Sequence, residues 1–167
     1  MKSTNPATGE LIKEYEAHTN DQVRDIIDKV DLEWQSWKKT PFKERAARMN
    51  KAADILMKER DQCAGIMTAE MGKIIRESRG EIEKCAWVCR HYAENGERFL
   101  QDELVDTPYT KSFVSFEPIG TVLAVMPWNF PFWQVFRFVA PALMAGNAAV
   151  LKHASNVMGC ALKIEEI

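Results

Sequence analysis

Residues 121–151 read TVLAVMPWNFPFWQVFRFVAPALMAGNAAVL, and their pattern indicates the fold class. It begins with a continuous apolar run, Thr121 to Met126, which is typical of a strand buried on both faces of a parallel sheet. A loop rich in proline, a helical segment from Phe132 to Ala145 and a stop at Gly146 come next. A second apolar strand, Ala148 to Leu151, completes the unit. The order strand, loop, helix, strand predicts two parallel strands joined by a right-handed crossover in an α/β fold.

The first hundred residues predict a mainly helical half. A turn over Asn5–Glu10 precedes an edge strand over Leu11–Tyr15, and Thr19 with Gln22 forms a capping box that opens a helix. The apolar face expected to be buried on this helix comprises Val23, Ile26, Ile27, Val30, Trp34 and Trp37. Three further helices are expected: one with Pro41 as its first residue, one over 61–71 that stops at Gly72, and one over about 74–99. The inward residues of the last are Ile75, Ile82, Cys85, Cys89 and Tyr92, with many Glu, Arg and Lys side chains outward.

The composition is that of an ordinary globular chain and excludes several classes of function. The 167 residues carry 22 lysines and arginines against 24 aspartates and glutamates, so no net positive charge attracts nucleic acid or an anionic membrane. Residues 118–136 carry no charge, but Pro127 and Pro131 interrupt them on either side of Asn129. We therefore expect no membrane span and no nucleic-acid partner.

The four cysteines predict neither a metal site nor a disulfide framework. They form no C-x-x-C pair, and only three histidines are present to complete a zinc site. Free cysteines at helical spacing pack as small apolar side chains. Because the amino terminus also lacks the apolar core of a signal peptide, we expect a reducing, cytoplasmic location. The isolated histidines, His18, His91 and His153, are expected at the surface or at helix caps.

Two loops are the candidate places for chemistry, because ligands of open parallel sheets bind beyond the carboxyl ends of the strands. These loops are Pro127–Pro131 and Lys152–Asn156. The amide of Asn129 either donates a hydrogen bond to a developing oxyanion or caps the following helix. Lys152 either meets a nucleotide hydroxyl or phosphate, or marks the emergence of its strand into water. The residues alone leave both alternatives open.

Several motifs resemble the NAD(P)-dependent aldehyde dehydrogenase superfamily over essentially the whole length. The matching stretches are Asn5–Glu10, Ala69–Lys73 with Glu77 and Glu81, Glu117–Gly120, Pro127–Pro131, Ala140–Leu143 and Ala145–Asn147. The resemblance implies the amino-terminal portion of that α/β fold, a helical half followed by the first strands of a Rossmann-like parallel sheet. It implies that residues 1–167 form an incomplete cofactor-binding domain. It also places about 107–118 in an oligomerisation hairpin, where the pattern of Phe113, Val114 and Phe116 predicts a strand.

The resemblance assigns roles to single residues. Asn129 would donate to the oxyanion of the thiohemiacetal intermediate, and Lys152 would contact the adenosine ribose of the cofactor. Met126, Pro127, Trp128 and Asn129 would line the cofactor between its adenine and nicotinamide ends. Ser155 would lie beside the ribose 2′-position, where many NAD-preferring members carry a glutamate, so either NAD or NADP is an acceptable cofactor.

Within the family, Lys152–Ala161 and Phe132–Gln134 look most like the succinate-semialdehyde dehydrogenase branch. The resemblance implies a small aldehyde substrate, a substrate tunnel faced by Phe132, Gln134 and Arg137, with Arg137 as a partner for a carboxylate, and homo-oligomers of the full-length protein. The Gly-Gln-x-Cys and Glu-Leu-Gly-Gly stretches that carry the family's nucleophile and base do not occur in these residues. We therefore expect the chain alone to be inactive. The alternative is a truncated, non-catalytic partner or interaction chain.

Overall fold

Six helices and six short strands make up the computed structural model, which describes residues 1–167. In chain order they are β1 (Lys2–Thr4), β2 (Leu11–Glu14), α1 (Asn20–Trp37), α2 (Phe42–Lys58), α3 (Arg60–Met71), α4 (Ile75–Phe99), β3 (Glu103–Leu104), β4 (Phe113–Val114), β5 (Thr121–Val125), α5 (Trp133–Met144), β6 (Ala148–Lys152) and α6 (Met158–Glu166). The helical first half and the strand–helix–strand unit are both present, which confirms the α/β prediction.

Strands β5 and β6 pair in parallel, and α5 connects them. The pairing runs from Thr121 opposite Ala148 to Val125 opposite Lys152. The turn into β6 depends on Gly146, which has φ 86°, a conformation that favours glycine. A Cβ atom on Gly146 would lie 2.8 Å from Nη1 of Arg45, so this guanidinium, which donates to the carbonyl oxygen of Met144, would have to shift.

The core lies where α2, α3, α4 and α5 pack together. Leu56, Met67, Ile82 and Phe132 are its largest fully buried apolar side chains. All four cysteines are free and buried, which confirms that they pack as apolar side chains. Thr19 and Gln22 form the predicted capping box of α1, and Gly72 ends α3 with φ 74°. No helix of the chain combines the length and the apolar character that crossing a bilayer requires.

The prediction of a buried face on α1 is wrong over most of the helix. Val23 and Ile27 are 42% and 45% exposed, and α1 has no buried residue. The helix contacts the body through its carboxyl-terminal half, where the indole N–H groups of Trp34 and Trp37 donate to the carbonyl oxygens of Gly146 and Leu143. Apolar periodicity predicted the helix correctly, but no other element lies against its first turns.

The prediction that β5 is buried on both faces is also wrong. Leu123 and Val125 are 65% and 64% exposed, whereas Ala124 between them is 5% exposed. Because successive side chains of a strand point to opposite faces, only the face of Ala124 is covered. The apolar run therefore belongs to a strand whose last residues, Leu123 and Val125, leave one face exposed in this chain.

Three local predictions need correction. Pro41 is the residue before α2 rather than its first residue, because its ψ of 150° is extended. Ile75 is 38% exposed instead of inward, since it lies in the first turn of α4. The strand near Phe113 is only two residues long, and it pairs antiparallel with β3, so the hairpin begins at Glu103, ahead of the predicted range. The role of the β3–β4 hairpin in oligomerisation stays a prediction.

Candidate functional site

The two candidate loops leave the sheet side by side. Val125, the last residue of β5, pairs with Lys152, the last residue of β6, and the amide of Met126 donates to the carbonyl oxygen of Lys152 at 3.0 Å. The segments 126–131 and 153–157 therefore begin at one edge of the sheet, as parallel pairing requires. We name them the Asn129 loop and the Lys152 loop, counting Lys152 with the second.

Most of the residues predicted to bind the cofactor are exposed at this edge. Trp128 is 51% exposed, and Asn129, Lys152 and Ser155 are exposed too, whereas Met126 is half-buried. Neither loop contains an aspartate or a glutamate. The surface thus offers an ammonium group, a hydroxyl and an amide without a competing carboxylate. This set of donors suits an anionic ligand that is rich in hydroxyl groups.

The structure decides one of the alternatives for Asn129. The residue before α5 is Phe132, and no side chain of the loop itself caps this helix. Asn129 is exposed, so the interpretation as a helix cap is wrong and its amide remains available to a ligand. Lys152 is exposed at the end of β6. This placement fits contact with a nucleotide and also fits a strand that simply emerges into water there.

Glu81 of α4 supplies the cap that α5 lacks locally. Its Oε1 accepts hydrogen bonds from the amides of Phe132 and Trp133 at 3.0 and 2.9 Å, and its Oε2 accepts one from Nζ of Lys73. A carboxylate at this position also interacts favourably with the positive end of the helix dipole. Nζ of Lys73 lies 3.7 Å from the centroid of the Phe130 ring, next to Asn129. Glu81 and Lys73 together hold the end of the Asn129 loop.

Glu70 of α3 does the same for α6, the helix after the Lys152 loop. Its two carboxylate oxygens accept hydrogen bonds from the amides of Gly159 and Cys160 at 2.8 and 2.9 Å. Oγ of Ser3 donates to the same carboxylate at 2.7 Å. A Cβ atom on Gly159 would lie 2.9 Å from Oε1 of Glu70, so glycine permits this approach. Two buried glutamates thus fix the helices behind the two loops.

His153 is 7% exposed, so the prediction that places it at the surface or at a helix cap is wrong. Its Nδ1 accepts a hydrogen bond from the amide of Ala154 at 2.8 Å, and its Nε2 lies 2.9 Å from the carbonyl oxygen of Pro131. Because Nδ1 accepts, the proton is on Nε2, which donates to Pro131. Burial lowers the pKa of His153, which favours this neutral form.

The burial of these charged groups was not predicted, because the pattern indicated that many Glu, Arg and Lys side chains of α4 point outward and indicated no partner for Glu70 or Arg45. Glu70, Glu81 and Arg45 are instead 3%, 5% and 7% exposed. Buried charges need partners, and the partners here are backbone groups far along the chain. The motif Ala69–Lys73 with Glu81 contained two of these residues, but nothing in its spacing indicated which amides they would meet.

The residues predicted to contact the substrate do not share one surface. Phe132 is fully buried in the core, Gln134 is half-buried, and Arg137 is exposed on α5. Phe132 therefore packs against α4 and its neighbours in this chain. The substrate role of these three residues stays a prediction.

The cysteines are unsuited to act as nucleophiles. Burial raises the pKa of Cys63 to about 11 and that of Cys89 to about 12. Burial also raises the pKa of Cys85 and Cys160 far above the ordinary thiol value. Since the thiolate is the reactive form, none of these thiols is reactive at neutral pH.

A parallel strand–helix–strand unit with two polar loops at its carboxyl edge defines the class, an α/β protein with a parallel sheet. Comparison with protein families then gives the family. The family model described as "Aldehyde dehydrogenase family" matches residues 1–167, and the chain belongs to this family. This confirms the resemblance inferred from the motifs.

Alignments with relatives in this family cover the whole of the chain. It is 53% identical over 167 residues to a probable NADP(+) succinate-semialdehyde dehydrogenase of Synechocystis, and 46% identical over 170 residues to NADP(+) succinate-semialdehyde dehydrogenase 1 of Mycobacterium tuberculosis. The chain spans 37% of the length of each. Among solved structures, succinic semialdehyde dehydrogenase from Streptococcus pyogenes in complex with NADP+ superposes with a TM-score of 0.95 at 34% identity, over 99% of this chain and 36% of that one.

Proposed function

We propose that this chain is the amino-terminal portion of an NAD(P)-dependent aldehyde dehydrogenase and that residues 1–167 form part of its cofactor-binding domain. The enzyme oxidises an aldehyde to a carboxylate, with succinic semialdehyde as the favoured substrate and the cytoplasm as its location. One observation carries the proposal. The parallel pairing of Val125 with Lys152 gathers Asn129, Lys152 and Ser155 at a single edge of the sheet.

Asn129 is the residue of this chain that would act on the reacting carbonyl. Attack of a cysteine thiolate on an aldehyde places a negative charge on the carbonyl oxygen, and an amide N–H already in position stabilises that charge. Asn129 is exposed. Pro127 and Pro131, two positions away on either side, and the Glu81 cap restrict the backbone around it. A donor held in advance does not have to be ordered during the reaction.

The residues of the two loops fit a nicotinamide dinucleotide. When bound, this cofactor supplies the hydride acceptor for the oxidation. The ammonium group of Lys152 would bind ribose hydroxyls, and the residues from Met126 to Trp128 would line the cofactor between its two bases. Ser155 offers a hydroxyl and no negative charge, so it does not repel the 2′-phosphate of NADP. The donor set therefore accepts NADP as well as NAD.

The relatives named as succinate-semialdehyde dehydrogenases support the choice of substrate. Arg137 is exposed on α5, and its guanidinium would pair with the substrate carboxylate. The four buried thiols support a further part of the proposal, that residues 1–167 alone do not oxidise aldehydes. The exposed β3–β4 hairpin, with Leu104 78% exposed, would join copies of the full-length protein.

The test is the oxidation of succinic semialdehyde with NADP+ by the full-length protein, followed through NADPH formation. Butanal, which has the same chain length without the carboxylate, is the matched substrate. We expect a higher kcat/KM for succinic semialdehyde and no activity for residues 1–167 alone. No aldehyde-dependent NADPH formation by the full-length protein would contradict the proposed activity. Equal kcat/KM values for the two aldehydes would contradict the proposed substrate.

A second candidate function is a non-catalytic partner or interaction chain of 167 residues. The exposed apolar side chains of Leu123 and Val125 at the end of β5 favour it, since such surfaces drive association. The denatured mass of the polypeptide in its source cells separates the two candidates. A mass well above 19.1 kDa supports the dehydrogenase, and a mass equal to it supports the partner chain.

A further inference from the structure

One buried side chain joins the two loops of the site. The hydrogen bond from Nε2–H of His153 to the carbonyl oxygen of Pro131 is the one side-chain hydrogen bond between the Asn129 loop and the Lys152 loop. We propose that His153 is a positioning residue that sets the distance between Asn129 and the cofactor-binding residues of the Lys152 loop through this bond. The proposal rests on the function proposed above for the two loops.

The geometry leaves the His153 ring no freedom. One ring nitrogen accepts from the amide of Ala154 at 2.8 Å, and the other donates to Pro131 at 2.9 Å. Pro131 is fully buried and His153 is 7% exposed, so water does not compete for either bond. A hydrogen bond shielded from water is electrostatically stronger than an exposed one.

The positions of the two bonded residues explain why this contact acts on both loops. His153 directly follows Lys152, and Pro131 lies two residues after Asn129. Glu81 and Glu70 attach the loops to the helices behind them, but neither glutamate bonds to both loops. Only His153 fixes one loop relative to the other by a side chain. Misplacement of reacting groups by about 1 Å costs up to about a hundredfold in rate, so this distance matters to catalysis.

Two polar substitutions separate the two bonds of the ring. The amide nitrogen of a glutamine reaches the position of Nε2, so His153→Gln keeps the bond to Pro131. The shorter asparagine reaches only the position of Nδ1, so His153→Asn loses it. The experiment measures kcat, KM for NADP+ and thermal unfolding for both variants in the full-length enzyme, with His18→Asn at an exposed position as the control.

We expect His153→Gln to stay within about threefold of the unsubstituted enzyme, and His153→Asn to lose about tenfold or more in kcat while KM for NADP+ rises. Both variants should be folded at the assay temperature, with His153→Asn the less stable of the two because the buried carbonyl of Pro131 loses its donor. Equal kinetics in the two variants would overturn the proposal. A His153→Asn enzyme that fails to fold beside a folded His153→Gln enzyme would overturn it too, since the contact would then serve stability. Failure of the proposed function is a separate outcome, because the unsubstituted enzyme would then be inactive.

Discussion

Oε1 of Glu81 accepts a hydrogen bond from the amide of Trp133 at 2.9 Å, across 52 positions of the chain. A helix normally finds its cap within its own first residues, but the residue before α5 offers none. The cap comes from α4, and the same carboxylate binds Lys73. The orientation of α5, and with it the Asn129 loop, therefore depends on packing between helices that are distant in sequence.

Replacing Glu81 by leucine should destabilise the fold strongly. The substitution leaves two buried amides and the ammonium group of Lys73 without their acceptor, and breaking a buried, charged network costs about 3–5 kcal/mol. Urea unfolding of the chain measures this loss. Glu83→Leu on the same helix is the control, because the Glu83 side chain is 47% exposed and pairs only with Arg60, which predicts a loss of at most about 1 kcal/mol. Equal losses would contradict the role of Glu81.

Replacing Gly146 by alanine should destabilise the fold for a different reason. The residue has φ 86°, and the new Cβ atom would lie 2.8 Å from Nη1 of Arg45, so both backbone strain and a clash result. We expect a loss of about 1–3 kcal/mol in urea unfolding. Gly65→Ala, in the middle of α3 with open space around it, should instead stabilise by about 0.5–1 kcal/mol. A neutral Gly146→Ala would contradict this account.

The sequence predicted more of the local structure than of the site. Thr19, Gln22 and Gly72 act on neighbouring residues, so their patterns were sufficient to predict the start of α1 and the end of α3. The pattern Thr121–Leu151 was sufficient for a parallel unit, because a crossover helix between two apolar strands has few other solutions. These predictions rest on physics that operates within a few residues.

The buried polar network could not be predicted, because its partners are far apart in sequence. Glu70 and Cys160 are 90 positions apart, and Arg45 and Met144 are 99 apart. Helical periodicity treats every glutamate as a surface residue, and only the packed structure shows which backbone amides need an acceptor. The burial of His153 could not be predicted for the same reason, since its partner Pro131 belongs to the other loop.

The stability of the chain should decrease in mildly acidic solution partly because of His153. Desolvation lowers its pKa, an effect that Lys152 reinforces and that Glu70 and the hydrogen bond to Pro131 oppose. The folded state therefore binds a proton less readily than the unfolded state, whose histidine titrates near about 6.5. The contribution is fully present above that pH and is lost as pH falls below it, towards the folded pKa.

The measurement is the free energy of unfolding in urea from about pH 7.5 to about pH 5.5. His153→Gln should show a smaller decrease over this range than the unsubstituted chain. His18→Gln, at an exposed position, should follow the unsubstituted chain. If His153→Gln kept the full decrease, other groups would account for it and the prediction would be wrong.

Replacing Ser155 by glutamate should change the preference between the two cofactors. A carboxylate beside the ribose would accept hydrogen bonds from the 2′-hydroxyl of NAD and repel the 2′-phosphate of NADP, since like charges placed together cost several kcal/mol. We expect KM for NADP+ to rise about tenfold or more in the full-length enzyme, with KM for NAD+ unchanged or lower. Ser155→Gln, of similar size without the charge, is the control. A parallel change for both cofactors would place Ser155 away from the 2′-position.

Replacing Asn129 by alanine should lower kcat with little effect on binding. The amide would stabilise charge that develops only as the carbonyl is attacked, so its loss raises the barrier without weakening the ground state. Removal of one donor of this kind costs about 100- to 1,000-fold in kcat. Steady-state kinetics of the full-length enzyme with succinic semialdehyde measure the loss, and Asn50→Ala, at an exposed position of α2, is the control. Because Asn129 caps no helix, thermal unfolding should not change. A variant that retained kcat but unfolded earlier would show that Asn129 serves the structure of the loop instead of the oxyanion.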